Sequence, residues 1–339
     1  MSEKGIEAAA LGRWLEANVE GFCAPFELIK FPSGQSNPTY RIAAASGDYV
    51  LRRKPFGPLL PSAHAVDREF RLLSALHPLG FAVPRPLALC ADEEVIGAIF
   101  YVMALARGRS YANGALPEFD PATRRHMYEQ LVDTLADLHN IDPDAAGLGD
   151  FGKPGNYFER QVMRWTRQYR DSQTDYLPEM ERLIAFLPET IPEQWRTSVV
   201  HGDYRIDNVV FDGNGALTAV LDWELATLGD PLADFSYLAM QWVMPADGGA
   251  GLGGLDLTAL NIPSLDDIVE RYSARSGVPV EARLDWYFAY NLFRLAGIVQ
   301  GIKKRVIDGT AAHANAAEMA RRVPMLAESA WSFAKKAGA

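Results

Sequence analysis

The chain has 339 residues, 48% apolar and 22% charged, with a net charge of −10. That length supports two lobes with a sizeable core, and the acidic balance argues against nucleic acid and against a basic, membrane-surface role. Two cysteines, Cys23 and Cys90, offer no metal-ligand spacing and fit a reducing compartment; with no signal-peptide core at the N-terminus and no apolar run of ~20 residues, a cytoplasmic location without a membrane partner is expected.

The first third reads as a small β-rich lobe. After a leading helix over 11–19, strands are predicted over 26–29, 39–43 and 48–52. The loop joining the first two contains Ser33, Gly34, Gln35, Ser36 and Asn37. A strand-loop-strand of this kind covers nucleotide phosphates with backbone N–H groups. Arg52 ends the third strand, and Lys54 falls on the same face by period-two alternation. A helix over 62–76 buries Val66, Phe70, Leu73 and Leu76. Glu69 flanks that face, where a glutamate pairs with a phosphate-binding cation. Two more strands are expected over 87–90 and 98–103.

The rest reads as mostly helical. Helices are predicted over 127–140, ending in a structural His139, and over 157–169, with Arg160, Arg164, Trp165 and Arg167. Next comes His201-Gly202-Asp203-Tyr204-Arg205-Ile206-Asp207-Asn208. The pattern H-x-D-x-x-x-x-N supplies a carboxylate for an acceptor hydroxyl, Asp203, and a metal ligand, Asn208. Strands over 209–211 and 217–221 flank the turn Asp212-Gly213-Asn214-Gly215. Folding back near Asn214 sets position 208 opposite 220 and brings Asn208 and Asp222 to one open end. Two oxygen ligands there suit Mg²⁺, so the pattern points to ATP and Mg²⁺. A helix starts within 229–235, a Gly-rich apolar stretch over 241–263 reads as a lid, and a long aromatic helix spans 284–302. Asp222 and Asp234 are a dozen residues apart, too few for a peptide-holding activation segment. The expected acceptor is a small hydroxylated molecule, and the apolar lid and aromatic helix favour a partly hydrophobic one over a polycation.

These motifs resemble the aminoglycoside-phosphotransferase and choline-kinase superfamily, the small-molecule branch of the protein-kinase-like fold. Three softer matches are similar to the kinase-like domains fused to some acyl-CoA dehydrogenases. They are Val50-Leu51-Arg52-Arg53-Lys54-Pro55, then Glu159-Arg160-Gln161 with Trp165-Thr166-Arg167-Gln168-Tyr169, and Asn291-Leu292-Phe293-Arg294. The resemblance implies an α+β, two-lobed fold: an N-lobe over 1–104 with a small antiparallel sheet and one helix, and a larger helical C-lobe over 105–339. It implies a hinge from Met103 to Ala106 whose backbone meets adenine, with Met103, Ala104 and Leu105 as the binding residues, Gly108 opening the helical lobe, and Asp234 bracing the catalytic loop. The family's phosphate-binding lysine falls at Arg52, with Lys54 as the alternative. The implied activity is transfer of the ATP γ-phosphoryl group to a hydroxyl, with a hydroxyacyl-CoA suggested by the fused dehydrogenases. An aminoglycoside or choline-type kinase is one alternative; a nucleotide-binding pseudokinase, given the missing lysine, is another. A metal-dependent phosphohydrolase is disfavoured, because no histidine-aspartate cluster surrounds a second metal.

Overall fold

A computed structural model describes residues 6–31, 37–56, 65–280, 284–310 and 315–339. Helix α1 (Ala8–Asn18) precedes β1 (Phe26–Lys30), β2 (Thr39–Ala44) and β3 (Gly47–Arg53); α2 (Val66–Leu76), β4 (Pro86–Cys90) and β5 (Phe100–Ala104) follow. The five strands form one antiparallel sheet in the order β1-β2-β3-β5-β4. Its core joins Leu11 and Leu15 of α1 to Tyr40, Ile42, Leu51, Phe100 and Val102 of the strands. Register sets Arg52 opposite Thr39 on one side and Tyr101 on the other.

Then come α3 (Pro121–Asn140), α4 (Tyr157–Ser172), α5 (Pro178–Glu189), β6 (Ser198–Val200), β7 (Val209–Phe211), β8 (Leu217–Val220) and β9 (Thr227–Gly229). The chain ends in α6 (Pro231–Ala239), α7 (Leu257–Leu260), α8 (Leu265–Ser276), α9 (Asp285–Ile307), α10 (Ala316–Ala320) and α11 (Val323–Lys336). The α+β class expected from the sequence holds, with the antiparallel sheet N-terminal and the helices C-terminal. Among the described residues no helix is long and apolar enough to cross a membrane.

The chain divides into two compact units. The first holds the residues up to Tyr111 with Asp144–Leu148 and Asp207–Ala226; the second holds Ala112–Pro143, Gly149–Ile206 and Thr227–Ala339. The β7–β8 hairpin thus belongs to the unit of the five-stranded sheet. Arg109 and Phe211 exchange both backbone hydrogen bonds at 3.0 Å, and Val220 N–H donates to the Ala82 carbonyl at 2.7 Å. Gly108, at φ +120°, is required here, because a Cβ would lie 2.1 Å from the Phe211 oxygen.

Three local expectations are corrected. In the hairpin, Val209 pairs with Val220, so Asn208 lies opposite Leu221 rather than 220. A bulge is the cause: Val210 faces Ala219 but Phe211 faces Leu217, leaving Thr218 as the extra residue. On α2, Glu69 is part of the buried face and Phe70 is only half-buried, because Arg52 and Tyr101 give the carboxylate partners. Residues 241–263 form packed structure rather than an open lid. Trp242 is buried on Tyr128, its Nε1 donates to the Pro263 carbonyl at 2.7 Å, and Leu252 and Ile262 are buried.

In the second unit α9 packs on α4 and α11, and α3 packs on α8. Helix α6 is buried along its whole length. Helix α3 starts six residues before its sequence-expected position, because Asp120 caps it, accepting from Ala122 N–H and Thr123 N–H, and Pro121 suits the first turn.

Candidate active site

Arg52 leaves the end of β3 with its side chain almost enclosed and gathers three carboxylates. Its Nε lies 2.9 Å from Glu69 Oε2; its Nη2 donates to Asp222 Oδ1 at 2.9 Å and to Glu224 Oε2 at 3.4 Å. The Tyr101 hydroxyl donates to Glu69 Oε2 at 3.1 Å, and the Asn37 amide donates to Glu69 Oε1 at 3.1 Å and Glu224 Oε2 at 3.5 Å. Burial pushes the Glu69 carboxyl up to about 7, with Arg52 and then Tyr101 opposing the shift. Burial also works against the Arg52 charge, but Glu69 foremost, then Tyr101, Asp222 and Glu224, outweigh it and raise its basicity. Lys54 instead stands 3.3 Å from Asp67. Ser33, Gly34, Gln35 and Ser36 lie outside the described residues.

Asp222 adopts φ 65° and ψ 59°, a left-handed conformation that costs a non-glycine residue energy. It turns the chain from β8 into the short 3₁₀ turn Trp223–Leu225. The turn is held by Trp223 Nε1, which donates to the Val220 carbonyl at 2.9 Å. Beside it Leu221 N–H donates to the Asn208 carbonyl at 2.8 Å, so Asn208 and Asp222 share the open end of the hairpin. One guanidinium against Glu69, Asp222 and Glu224 leaves formal negative charge in excess, which suits a divalent cation. Asn208 and Asp222 fit Mg²⁺ as hard oxygen donors, one neutral and one charged. Among the described residues no group of three or more His, Cys, Asp or Glu forms a metal cage. Mg²⁺ held through one or two carboxylates and substrate phosphates does not require one.

In the second unit, the turn carrying Asp203 is clamped at both polar ends of its peptides. His201 N–H and Gly202 N–H donate to Asp234 Oδ2 and Oδ1 at 2.5 and 2.8 Å. The Gly202 carbonyl accepts from Arg294 Nη2 at 2.8 Å. Asp234 sits in the first turn of α6 and also meets His139 Nε2 at 3.4 Å. Burial opposes its charge, but the His139 contact and then His201 and the Gly202 N–H hold it below the ordinary carboxylate range. His139, lowered by burial, reaches Tyr272 through Nδ1 at 2.6 Å, which makes it the structural residue expected. The Tyr237 hydroxyl hydrogen-bonds Asp203, and Arg205 Nε lies 3.6 Å from Asp203 Oδ1. Asp203 keeps a quarter of its side chain exposed (25%).

At the expected hinge, Met103 is buried in β5, the Ala104 N–H donates to the Arg85 carbonyl at 2.9 Å, and Leu105 follows the strand. Tyr101, Arg205, Glu224, Tyr237 and Arg294 take part without a role assigned from the sequence. Glu224 lies two residues after Asp222, and that proximity is its only signal. Tyr237 and Arg294 lie thirty or more residues from Asp203, and only the Asn291-Leu292-Phe293-Arg294 match marks the second.

The family model described as "Phosphotransferase enzyme family" matches residues 27–289. Acyl-CoA dehydrogenase family member 10 of Mus musculus is 44% identical over 317 residues, 93% of this chain but 30% of that protein. Family member 11 of Gallus gallus is 37% identical over 98% of this chain and 44% of its own length. The chain therefore spans less than half the length of these curated relatives. A crystal structure from Ralstonia eutropha, provisionally named an aminoglycoside phosphotransferase, superposes with a TM-score of 0.89 at 43% identity over 97% of this chain and 98% of that one. At 16% identity and a TM-score of 0.58, over 96% and 98% of the two chains, a thermostable aminoglycoside phosphotransferase solved with ADP and hygromycin B shares the fold. An H-x-D-x-x-x-x-N loop, a sheet-borne cation paired with a helix glutamate, and a family match across most of the sequence converge, and the chain belongs to the phosphotransferase enzyme family.

Proposed function

We propose that the protein is an ATP- and Mg²⁺-dependent kinase that phosphorylates the hydroxyl of a small acceptor, with a hydroxyacyl-CoA as the acceptor class. The observation that carries this reading is the clamp of Arg52 on Glu69 and Asp222, which sets a fork of donors beside a carboxylate suited to Mg²⁺. Arg52 takes the phosphate-binding position of the family's lysine; its fork grips phosphate oxygens in pairs. Asn208 and Asp222 are the residues that would hold Mg²⁺, which when bound neutralises charge on the phosphates. The backbone of residues 33–37, and of Met103, Ala104 and Leu105, is assigned to the nucleotide. Asp203 orients the acceptor hydroxyl and takes its proton as the oxygen bonds to phosphorus and the bond to ADP breaks. The relatives' names carry the acyl-CoA assignment, and the ADP-bound neighbour supports a nucleotide donor.

The test is ADP release by the purified chain with hydroxyacyl-CoAs, aminoglycosides, choline and sugars as acceptors. Activity with a hydroxyacyl-CoA that falls about 10²–10⁴-fold in Asp203→Asn, with ATP binding retained, is the expected result. ATP binding without ADP release on any of these acceptors would count against this reading and favour a pseudokinase.

A further inference from the structure

In the second unit, α4 and α9 lie close together: a Cβ at Gly297 would stand 3.7 Å from the Trp165 carbonyl oxygen. Farther along the seam a cleft of about 490 Å³ opens, edged by Arg164, Arg167 and Asp171 from α4 and by Lys304 and Arg305 from α9. Spacings of three and four residues place these side chains on two facing stripes. The chain is acidic overall, yet this cleft holds four cations and one carboxylate. Lys304 also pairs with Asp308 at 2.7 Å. Among the described residues, no carboxylate forms an ion pair with Arg164, Arg167 or Arg305. Like charges gathered in one cleft repel one another, and the field they focus attracts anions.

Gly301 lines the same cleft. A glycine inside a helix costs up to ~1 kcal/mol relative to alanine. No core packing requires it, because only Arg305 Nη1, at 3.9 Å, comes near the position of its Cβ. The missing side chain leaves room beneath the Arg305 guanidinium.

The cleft is tied to the loop that carries Asp203. The Trp165 ring meets Arg164 at 5.2 Å and Arg294 at 5.5 Å, and Arg294 holds the Gly202 carbonyl. Along α9, Arg305 stands eleven residues past Arg294, about 16 Å by helical rise. The cations therefore start one indole away from the brace of Asp203 and extend about three helical turns from it.

We propose that this cleft binds phosphate groups of the phosphoryl acceptor, whose reacting hydroxyl is carried at the other end of an extended arm. A coenzyme A thioester has that layout: an acyl group, a long neutral arm, then a pyrophosphate and a ribose phosphate. Arg–phosphate pairing supplies the recognition. The inference rests on the acceptor class proposed above, but its binding step is tested apart from turnover.

Coenzyme A and pantetheine, which lacks the phosphates, are titrated calorimetrically into the full chain, its R167E/R305E variant and its R167K/R305K variant. Coenzyme A is expected to bind the wild type and the lysine variant, and to lose at least tenfold in affinity in the charge-reversed variant. Pantetheine binding and the KM for ATP are expected to stay unchanged, which also shows that the variant is folded. Equal coenzyme A affinity in wild type and charge-reversed variant, or no binding to the wild type, overturns the cleft. If coenzyme A binds through Arg167 and Arg305 while no hydroxyacyl-CoA is phosphorylated, the cleft stands and the acceptor reading fails. If a hydroxyacyl-CoA is phosphorylated with the same KM in the charge-reversed variant, the reading stands and the cleft fails.

Discussion

Arg52 meets three carboxylates at once, and a lysine ammonium does not reproduce that fork. The neighbouring cation, Lys54, is occupied with Asp67 at a more exposed site. Arg52→Ala is therefore expected to raise the KM for ATP or lower kcat by at least tenfold, about 1.4 kcal/mol. Lys54→Ala should change either constant by less than about twofold, since exposed pairs contribute little. Steady-state kinetics on both variants decides, and the reverse order moves the role to Lys54. The partner carboxyl has a pH signature. Glu69 rises from 4.5 to about 7 because it is buried. A raised folded-state value means that the folded protein keeps a proton which the unfolded chain has released. The associated stability is whole below pH 4.5 and is lost as pH rises through about 7. Melting temperatures measured across this window should fall more steeply for the wild type than for Glu69→Gln, which carries no proton to lose. Parallel curves would remove Glu69 as the titrating group.

At the level of elements, the turn His201–Asp203 is held by α6 through Asp234 and by α9 through Arg294. Both partners are buried, so removing either leaves a peptide group without its bond in a dry site. Arg294→Met is expected to lower kcat by at least tenfold while leaving the KM for ATP within about twofold, because the contact concerns the loop of the proposed base. Arg294→Lys should restore part of the loss, since one donor suffices for the Gly202 carbonyl. A fall in ATP affinity matching the fall in kcat would point to general misfolding instead. The contrast between the two braces shows what the sequence holds. The placement of Asp203 on a braced turn, and of Asn208 and Asp222 at one hairpin end, is legible because it depends on short spacings along one loop and one hairpin. The hairpin end was legible even though its register was not: the bulge at Thr218 depends on the five-residue closure over Asp212–Ala216, which the turn composition alone does not fix. Arg294 was a letter in a softly matched motif, because nothing local in a long aromatic helix says which carbonyl a distant turn will present. Glu224 was hidden for a different reason: its partners Arg52 and Asn37 come from the other end of the chain.

At the scale of the whole molecule, the first compact unit is not a contiguous stretch of sequence. It needs residues 207–226, which bring Phe211 to Arg109, Val220 to Ala82, and Asp222 and Glu224 to Arg52. A fragment of residues 1–111 keeps the five-stranded sheet but leaves the Arg109 and Ala82 backbone groups and the buried Arg52 without those partners. It is expected to show no cooperative unfolding transition by calorimetry, in contrast to the cooperative unfolding expected of the full chain. A point change tests the same junction with the chain intact. Gly108 is held at φ +120°, and a Cβ there would stand 2.1 Å from the Phe211 oxygen and 2.6 Å from its carbon. Backbone atoms do not swing aside as a side-chain tip does, so Gly108→Ala has to part β7 from Arg109. Conformational strain alone costs about 1–3 kcal/mol, and the contact adds to it. A drop in melting temperature of at least about 4 °C is expected on that scale. Gly213, in the turn of the same hairpin, has nothing within 4 Å of its Cβ position and provides the control. Gly213→Ala should melt within about 2 °C of the wild type. If Gly108→Ala melts like the control, the hairpin is not bound to the sheet unit through Arg109 and Phe211, and the fragment result must then be traced to the Arg52 cluster alone.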